Sequence, residues 1–280
     1  MFMLIIYIVL IVLIIFLIYG YLSHYHFVTG TYDIDISSYD GSLRIVVLSD
    51  LHCCVHGREN IKLIKRINEI SPDLILIPGD MVTKRLSVSD ERVKRVIRLI
   101  KVLSNACPVY YSPGNHEIRL LEPDKYVSEL KAAGVVYLSN SSAKLSDRKL
   151  VIYGLDLPLE RYRDVTCLSK EEIAEALGDK GTDGFELTIL LAHDPRHFEA
   201  YTGWGADLTL SGHVHGGIMR LPFVGGVFSP SFRLFPKYDA GIFKKDSKYM
   251  AVSRGLGSHH IKFRWFNPPE LMVIDINHKR

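Results

Sequence analysis

The chain begins with a long apolar run and then changes to short apolar segments separated by mixed ones. Residues 1–22 carry no charged side chain, and residues 4–18 consist of Leu, Ile, Val, Phe and Tyr. A helix needs about 20 apolar residues to span the hydrocarbon core of a bilayer. The first Lys or Arg of the chain is Arg44, and no small-residue cleavage site follows the run, unlike in a cleaved signal peptide. The run therefore predicts an uncleaved, single-pass membrane anchor over residues 1–22.

Aromatic residues follow the run, as they do at the ends of many membrane helices. Tyr19, Tyr21, Tyr25 and Phe27 would lie where the helix leaves the bilayer. A cleaved signal peptide and a buried core helix remain as alternatives. Sidedness is set by basic residues near a membrane helix, and this one has none nearby. We therefore place the chain at the cell membrane and only slightly favour an extracytoplasmic location for the remainder.

The rest of the chain alternates between strand-like and helix-like patterns. Apolar runs predict strands over residues 43–48, 74–77, 108–111, 135–138, 150–153, 187–191 and 208–210. Apolar residues at helical spacing predict helices over residues 61–70, 93–103, 123–133 and 169–177. This alternation predicts an α/β domain over residues 43–280, in which mixed, largely parallel β-sheets are sandwiched between helices. Residues 23–42 predict a linker or an edge hairpin.

Composition narrows the class of protein. Of 280 residues, 48% are hydrophobic and 23% charged, which excludes a disordered, collagen-like or coiled-coil chain. The formal net charge of +3 is too small to indicate a nucleic-acid-binding protein by itself. None of the four cysteines forms a C-x-x-C pair, so a zinc ribbon and a thioredoxin-type redox site are excluded.

Polar residues that can bind metals fall just after the predicted strands. They are Asp50, His52, Asp80, Asn115, His116, His193, His213 and His215. Open α/β sheets bind ligands outside the carboxyl ends of their strands, so we expect these positions to converge in space. A mixture of imidazole and carboxylate ligands suits Mn, Fe, Zn or Ni. Eight such groups exceed the need of one ion, and a central Asp could bridge two ions for displacement at phosphorus.

The order of these residues resembles the five-block signature of the calcineurin-like metallophosphoesterases. The blocks are D-x-H at residues 50–52, G-D at 79–80, G-N-H-E at 114–117, His193, and G-H-x-H at 212–215. Residues 211–222, 238–243, 253–257 and 268–274 also resemble a bacterial, membrane-anchored or exported subfamily related to UDP-2,3-diacylglucosamine pyrophosphatases. The resemblance covers residues 43–277 and implies the calcineurin-like fold.

The resemblance also implies a centre of two divalent metal ions, with Mn expected ahead of Fe, Zn or Ni. One ion would be held by Asp50, His52, Asp80 and His215, and the other by Asp80, Asn115, His193 and His213, with Asp80 as the bridge. The implied reaction is hydrolysis of a phosphodiester or pyrophosphate bond by a metal-bound hydroxide, since two cations lower the pKa of a shared water.

Two residues of the third block would act beside the metals. His116 would not bind metal but would face the leaving-group oxygen as a general acid or hydrogen-bond donor. Glu117 would accept a hydrogen bond from an imidazole N–H and fix its tautomer. Six histidines outside the blocks are expected at the surface: His24, His26, His56, His197, His259 and His278.

The C-terminal part of the chain bears on the substrate. Residues 218–280 carry 11 Lys and Arg against 4 Asp and Glu, interleaved with aromatic residues, so a basic and partly apolar rim would adjoin the fifth block. Such a rim suits an anionic, lipid-linked phosphate at the membrane, with Arg220, Arg254 and His260 as candidate substrate contacts. A soluble phosphoester is the alternative substrate, an ordinary solvated face is the alternative interpretation, and nucleic acid is not expected.

Other functions stay open at this point. A nuclease or a cyclic-nucleotide phosphodiesterase could use the same metal site. A non-catalytic binding module could keep the fold, although such modules lose ligands and all eight positions are filled here. Cys53 and Cys54 follow His52 directly, where they would be small buried residues or thiols close to the metals.

Overall fold

The N-terminal apolar run forms one helix, α1 (Phe2–Ser23), in the computed structural model, which describes residues 2–180, 184–217, 219–221, 223–228, 234–258 and 262–277. The helix is long and apolar enough to cross a membrane, and its 18-residue apolar window is not buried in the domain. A core helix would bury that surface, so the core-helix alternative is wrong. The exposed apolar surface agrees with the predicted anchor.

Strands and helices alternate along the remainder of the chain. In chain order they are β1 (Val28–Ile34), β2 (Leu43–Val47), α2 (Ile61–Ile70), β3 (Leu74–Pro78), α3 (Glu91–Ser104), β4 (Val109–Ser112), α4 (Pro123–Ala132), β5 (Val136–Tyr137), β6 (Ser141–Leu145), β7 (Leu150–Leu155), α5 (Lys170–Leu177), β8 (Leu187–Ala192), α6 (Phe198–Trp204), β9 (Leu208–Ser211), β10 (Arg220–Leu221), β11 (Gly225–Gly226), β12 (Gly241–Lys245), β13 (Lys248–Val252) and β14 (Glu270–Ile276). Each strand and helix predicted from periodicity is present.

The strands form two six-stranded sheets and a small hairpin of β10 and β11. The first sheet has the order β1-β14-β2-β3-β4-β5, and the second has the order β12-β13-β9-β8-β7-β6. Strands β2 to β5 are parallel in the first sheet, as are β7, β8, β9 and β13 in the second. Antiparallel neighbours are β14 with β2, β6 with β7, and β12 with β13. The prediction of an α/β fold with mixed, largely parallel sheets is confirmed.

Alternate residues of the buried strands face two different cores. In β3, Leu74 and Leu76 lie in the core between the two sheets, whereas Ile75 and Ile77 lie in the core against the helices. Successive side chains of a strand point to opposite faces, so a strand covered on both sides needs an uninterrupted apolar run. Helices α2, α3 and α4 cover the first sheet, and α5 and α6 cover the second. The domain therefore has four layers.

The segment between the anchor and residue 43 is part of the first sheet. Strand β1 pairs in parallel with β14, from Val28 opposite Glu270 to Ile34 opposite Ile276. Residues 28–34 therefore form an edge strand of the sheet, within the range where the sequence predicted a linker or an edge hairpin. This strand takes its partner from the opposite end of the chain, a pairing that no local pattern can reveal. The sheet begins at Val28.

We expect Leu76→Ala to lower the free energy of unfolding by about 2–5 kcal/mol, because the side chain is fully buried between the sheets and its removal leaves a cavity. The matched control is Leu121→Ala, since Leu121 is 68% exposed. Urea denaturation of the full chain in detergent, followed by circular dichroism, measures both variants. Equal destabilisation by the two substitutions would contradict this account of the inter-sheet core.

Candidate metal centre

The carboxyl ends of five parallel strands meet at one edge of the two sheets, and predicted ligands lie there. In the first sheet, Asp50, Asp80 and Asn115 follow β2, β3 and β4; in the second, His193 and His213 follow β8 and β9. Parallel strands direct their carboxyl ends to one edge. Across the junction of the sheets, Nε2 of His193 lies 3.1 Å from Oδ2 of Asp80. The fold thus brings together residues that are far apart in sequence.

Three overlapping groups of His and Asp side chains could hold metal ions in the described part of the chain. They are Asp50, His52 and His215; His52, Asp80 and His116; and Asp80, His193 and His213. Within each group the donor atoms lie within 4.8 Å of one another, and every member except His213 is buried. Seven of the eight predicted residues therefore converge in these groups of His and Asp side chains. The eighth predicted residue is Asn115.

The first group surrounds one carboxylate oxygen. Oδ1 of Asp50 lies 3.3 Å from Nε2 of His215 and 3.7 Å from Nε2 of His52. The two Nε2 atoms are 3.1 Å apart. Ligand atoms about 2.1 Å from one metal ion are themselves about 3–3.5 Å apart, so these separations suit a shared cation.

Asp80 lies between the other groups. Its Oδ1 accepts the backbone N–H of His116 at 2.8 Å. Its Oδ2 faces imidazoles from both sheets, at 3.9 Å from Nε2 of His52 and 3.1 Å from Nε2 of His193. One oxygen is thus held by the backbone while the other faces both groups, which is the position that a bridging carboxylate requires.

An orphaned atom tests whether these residues fit a metal. Oδ1 of Asn115 is buried and has no hydrogen-bond partner in the part of the chain that the structure describes. Leaving a buried acceptor unpaired costs about 1–3 kcal/mol, so a ligand that completes it is expected. Since Asn115 follows β4 beside Asp80, its free carbonyl oxygen fits the predicted second metal site.

The charges of the site also suit divalent cations. Burial lowers the pKa of His215 to about 3 and also lowers that of His213. Burial alone would raise the pKa of Asp50 and Asp80, but neighbouring imidazoles outweigh it and hold both below their usual range. For His193, burial would lower the pKa, but the carboxylates of Asp80 and Asp50 raise it to about 10. Metals bind ionised carboxylates and neutral imidazoles, so a cation would replace the His193 proton.

Backbone carbonyls orient two of the imidazole rings. Nδ1 of His193 lies 2.7 Å from the carbonyl oxygen of Pro78, and Nδ1 of His215 lies 3.1 Å from that of Gly257. A ring that donates from Nδ1 keeps the lone pair on Nε2. Both Nε2 atoms face the carboxylates, so each ring is oriented as a metal ligand.

The backbone of the ligands is strained. Left-handed backbone angles occur at Asp50 (φ 51°), His52 (φ 47°), Asp80 (φ 57°), His213 (φ 69°) and His215 (φ 54°). This conformation costs non-glycine residues about 1–3 kcal/mol each, and it clusters at functional sites where the surroundings enforce it. Its concentration at five predicted ligands is an independent indication of function.

His116 has the opposite tautomer from His193 and His215. Its Nδ1 accepts the backbone N–H of Lys84 at 3.1 Å, so the proton of the neutral ring is on Nε2. Burial lowers the pKa of His116 to about 3 against the opposing effect of the Asp80 carboxylate, so the ring is neutral at pH 7. An Nε2–H group donates a hydrogen bond and does not bind metal through that atom. The structure therefore supports a donor role.

Glu117 holds the backbone of the site and not an imidazole. Its Oε2 accepts the N–H groups of Asp80 and Gly114, both at 2.8 Å, and its Oε1 accepts the hydroxyl of Tyr111 at 2.8 Å and the N–H of Val82 at 3.3 Å. The predicted bond to an imidazole N–H is absent among its described contacts. Backbone carbonyls orient the rings instead, and Glu117 fixes the loops that carry Asp80 and Asn115.

The predicted substrate contacts have partners within the chain. Arg220 forms an ion pair with Asp239 at 2.9 Å, and Arg254 lies 3.5 Å from Glu270. His260 lies outside the described residues, as do His259 and His278. Contact of these residues with substrate stays a prediction, since each described guanidinium is already held by a carboxylate.

Sequence reasoning missed Arg264, a neighbour of the first group. Arg264 is 1% exposed, and its Nη2 lies 3.3 Å from Nδ1 of His215 and donates to the Gly257 carbonyl at 2.6 Å. Only its place in the basic, aromatic C-terminal region could have drawn attention to it. The expectation that His24, His56 and His197 lie at the surface is also wrong: all three are buried.

The two cysteines after His52 are partly buried thiols. Burial raises the pKa of Cys53 to about 11 and raises that of Cys54, so both are protonated at pH 7. Both pack against the core that covers the first sheet. Neither belongs to the metal-binding groups of the described residues. The structure thus favours a small packing residue at each position over a reactive thiol.

Comparison with known proteins gives consistent matches. A family model described as calcineurin-like phosphoesterase matches residues 43–217. The chain is 30% identical over 243 residues to the uncharacterized metallophosphoesterase YkuE of Bacillus subtilis, which covers 85% of this chain and 80% of that protein. The chain is 26% identical over 243 residues to a transmembrane protein with metallophosphoesterase domain of Danio rerio. The match covers 83% of this chain and 52% of that protein. The chain is 27% identical over 192 residues to phosphodiesterase YaeI of Escherichia coli. That match covers 68% of this chain and 65% of the relative.

We expect Asp80→Asn to abolish tight binding of both metal ions, because the substitution removes the charge between the groups and leaves the shape unchanged. Calorimetric titration of the metal-free chain with Mn²⁺ measures the loss. Asp147→Asn is the matched control, since the Asp147 side chain is 80% exposed. Retention of two tightly bound ions by Asp80→Asn would exclude the bridge.

Glu117→Gln tests the support beneath the ligands. An amide NH₂ in place of one oxygen would meet N–H donors, so we expect metal affinity to fall about 10–100-fold, as for outer-shell residues in general. The same Mn²⁺ titration measures it, with Glu129→Gln on the exposed face of α4 as control. Unchanged affinity in Glu117→Gln would show that the loops are held in another way.

Proposed function

Because the chain belongs to the calcineurin-like phosphoesterase family and is thereby a metal-dependent phosphoesterase, we propose that it hydrolyses a phosphodiester or pyrophosphate bond with two divalent cations. The family predicted from the five blocks is confirmed. The narrower resemblance to UDP-2,3-diacylglucosamine pyrophosphatases stays a prediction. The observation that carries the proposal is the position of Asp80 between groups of imidazoles from both sheets.

The ligands divide into two sets that share Asp80. One cation would be held by Asp50, His52, Asp80 and His215, and the other by Asp80, Asn115, His193 and His213. All these donors are nitrogen or oxygen, and no thiolate is among them, so Mn is our first choice, with Fe, Zn and Ni as alternatives. When bound, two such cations would polarise the phosphoryl oxygens and lower the pKa of water.

The chain itself supplies a hydrogen-bond donor beside the metal ligands. Nε2 of His116 lies 3.9 Å from Oδ2 of Asp80, on the side of the site that faces His52. As a neutral donor, His116 would stabilise negative charge that develops on the leaving-group oxygen or on the phosphoryl group. The backbone N–H of Lys84 keeps the proton on Nε2, so the donor is oriented before substrate binds.

Two observations support a substrate at the membrane. Helix α1 exposes its apolar surface over the length needed to span a bilayer. One relative is named as a transmembrane protein with a metallophosphoesterase domain, and another is named a phosphodiesterase. We propose a single-pass anchor and a lipid-linked phosphodiester or pyrophosphate as the substrate. The side of the membrane stays a prediction.

Hydrolysis assays on the full chain in detergent test the proposal. With Mn²⁺ we expect turnover of bis(p-nitrophenyl) phosphate or of a nucleoside diphosphate sugar, and loss of turnover with a chelator. Faster hydrolysis of cyclic nucleotides or of single-stranded DNA would favour the nuclease or cyclic-nucleotide phosphodiesterase instead. Absence of hydrolysis with Mn²⁺, Fe²⁺, Zn²⁺ and Ni²⁺ would overturn the enzyme assignment.

We expect His116→Ala to keep both metal ions and to lower kcat about 10²–10⁴-fold for a diester with an alkoxide leaving group. The loss should be smaller for nitrophenyl esters, whose leaving group is stable without a proton. His26→Ala is the matched control, because His26 is exposed. Equal losses for good and poor leaving groups would refute donation to the leaving group, and loss of metal would make His116 a ligand.

A further inference from the structure

We infer that residues 263–266 and the tip of the β10–β11 hairpin form a second membrane-contacting surface beside α1, which places the metal centre at the level of the lipid head groups. We call these residues the membrane edge: Leu221, Phe223, Val224, Phe263, Trp265 and Phe266. The inference deepens the proposed function and rests on α1 being a membrane anchor. It concerns the depth of the catalytic domain, which the anchor alone does not determine.

The membrane edge is packed against the last turns of α1. The indole N–H of Trp265 donates to the carbonyl oxygen of Phe16 at 2.9 Å, and the two rings stack with centroids 5.2 Å apart. The backbone N–H of Arg264 donates to the carbonyl of Gly20 at 2.9 Å. A Cβ atom at Gly20 would collide with the Trp265 indole, so glycine permits the close approach. Tyr19 contacts Phe266, with centroids 5.5 Å apart.

The length of α1 determines the depth of these contacts. Its 22 residues rise about 33 Å at 1.5 Å each, close to the roughly 30 Å of a bilayer core. Phe16 is 14 residues beyond Phe2, so it lies only about 21 Å along the helix. If α1 spans the core, Phe16 is still within it, and the Trp265 indole that binds Phe16 must enter the membrane boundary. Tryptophan and phenylalanine are suited to that boundary.

The hairpin extends the same surface. Met219 pairs with Trp265 in an isolated bridge, and the backbone N–H of Arg220 donates to the Trp265 carbonyl at 3.0 Å. Beyond this attachment Phe223 is fully exposed, Val224 is 55% exposed, and Phe266 on the neighbouring loop is 53% exposed. Apolar side chains at a loop tip are costly in water, whereas a lipid boundary would cover them. Continuity with α1 makes lipid the occupant that fits.

A single side chain, that of Arg264, joins this surface to the candidate metal centre. Arg264 belongs to the loop that binds Gly20, and its Nη2 lies 3.3 Å from Nδ1 of His215. A second connection runs from His24, just after α1, whose Nε2 lies 3.8 Å from Sγ of Cys54, two residues beyond His52. The first connection reaches His215, and the second reaches the segment that carries His52, so both lead to the first metal group. A phosphate carried by a membrane lipid would therefore meet this group without leaving the bilayer surface.

The two tryptophans of the chain provide the first test. The full chain is placed in phosphatidylcholine vesicles whose acyl chains carry bromine near the head group. In Trp204→Phe the remaining Trp265 should lose most of its fluorescence. In Trp265→Phe the remaining Trp204, buried on α6 beside the second sheet, should keep it. Equal emission of Trp265 in brominated and ordinary vesicles would overturn the inference.

A second probe does not depend on replacing Trp265. Phe223→Cys in a Cys167→Ser chain is labelled with a polarity-sensitive fluorophore, since Cys167 is the exposed native cysteine of the described residues. We expect the emission to shift to the blue in vesicles, relative to the same labelled chain held in amphipol without lipid. Val102→Cys on α3, where Val102 is 47% exposed, is the matched control and should not shift. Equal shifts at both positions, or none at residue 223, would overturn the membrane edge.

Hydrolysis of bis(p-nitrophenyl) phosphate with Mn²⁺ on the same preparations separates the two proposals. Retained hydrolysis without quenching at Trp265 or a shift at residue 223 overturns the membrane edge and leaves the phosphoesterase proposal intact. Quenching and shift without hydrolysis support the membrane edge and count against the phosphoesterase proposal. The two failures are therefore distinguishable in one set of samples.

Discussion

The site depends on one carboxylate buried where the two sheets meet. Asp80 is 2% exposed, and one of its oxygens faces imidazoles from both sheets. An ionised carboxylate is costly to bury unless neighbours supply donors or positive charge. The backbone N–H of His116 donates to one oxygen of Asp80. Glu117 accepts the backbone N–H groups of Asp80 and Gly114 and so fixes both loops. The second oxygen is left for cations, and the two sets of ligands are defined by it.

The sheets supply the rigidity that this arrangement needs. Left-handed backbone at the ligands is unfavourable, and it persists because each ligand follows a strand buried on both faces. Close approach matters as well. A Cβ atom at Gly114 would collide with Oδ1 of Asp80, and one at Gly212 would collide with Oδ2 of Asp50. The glycines of the third and fifth blocks are therefore needed for the backbone to reach the two carboxylates.

The last turns of α1 pack against the domain, so this helix is not joined to it by a flexible tether alone. Trp265 and Arg264 bind carbonyl groups of α1, and the Arg264 guanidinium continues to the Gly257 carbonyl that also orients His215. The orientation of His215, a candidate metal ligand, and the position of α1 thus depend on one loop. For an enzyme whose substrate is held in a bilayer, this contact sets the height of the site, which a flexible linker would leave undetermined.

The local elements and the candidate metal ligands could be predicted from the sequence alone. Strand and helix periods are local, and the five blocks are short enough to be read without the fold, so Asp50, Asp80 and His193 could be singled out at once. The residues that support them became evident only from the fold. The pairing of β1 with β14, the bonds of Glu117 to Asp80 and Gly114, and the reach of Arg264 to His215 all join distant segments. Such contacts depend on how the two sheets pack, and a one-dimensional pattern carries no record of which distant atoms that packing brings within hydrogen-bond distance.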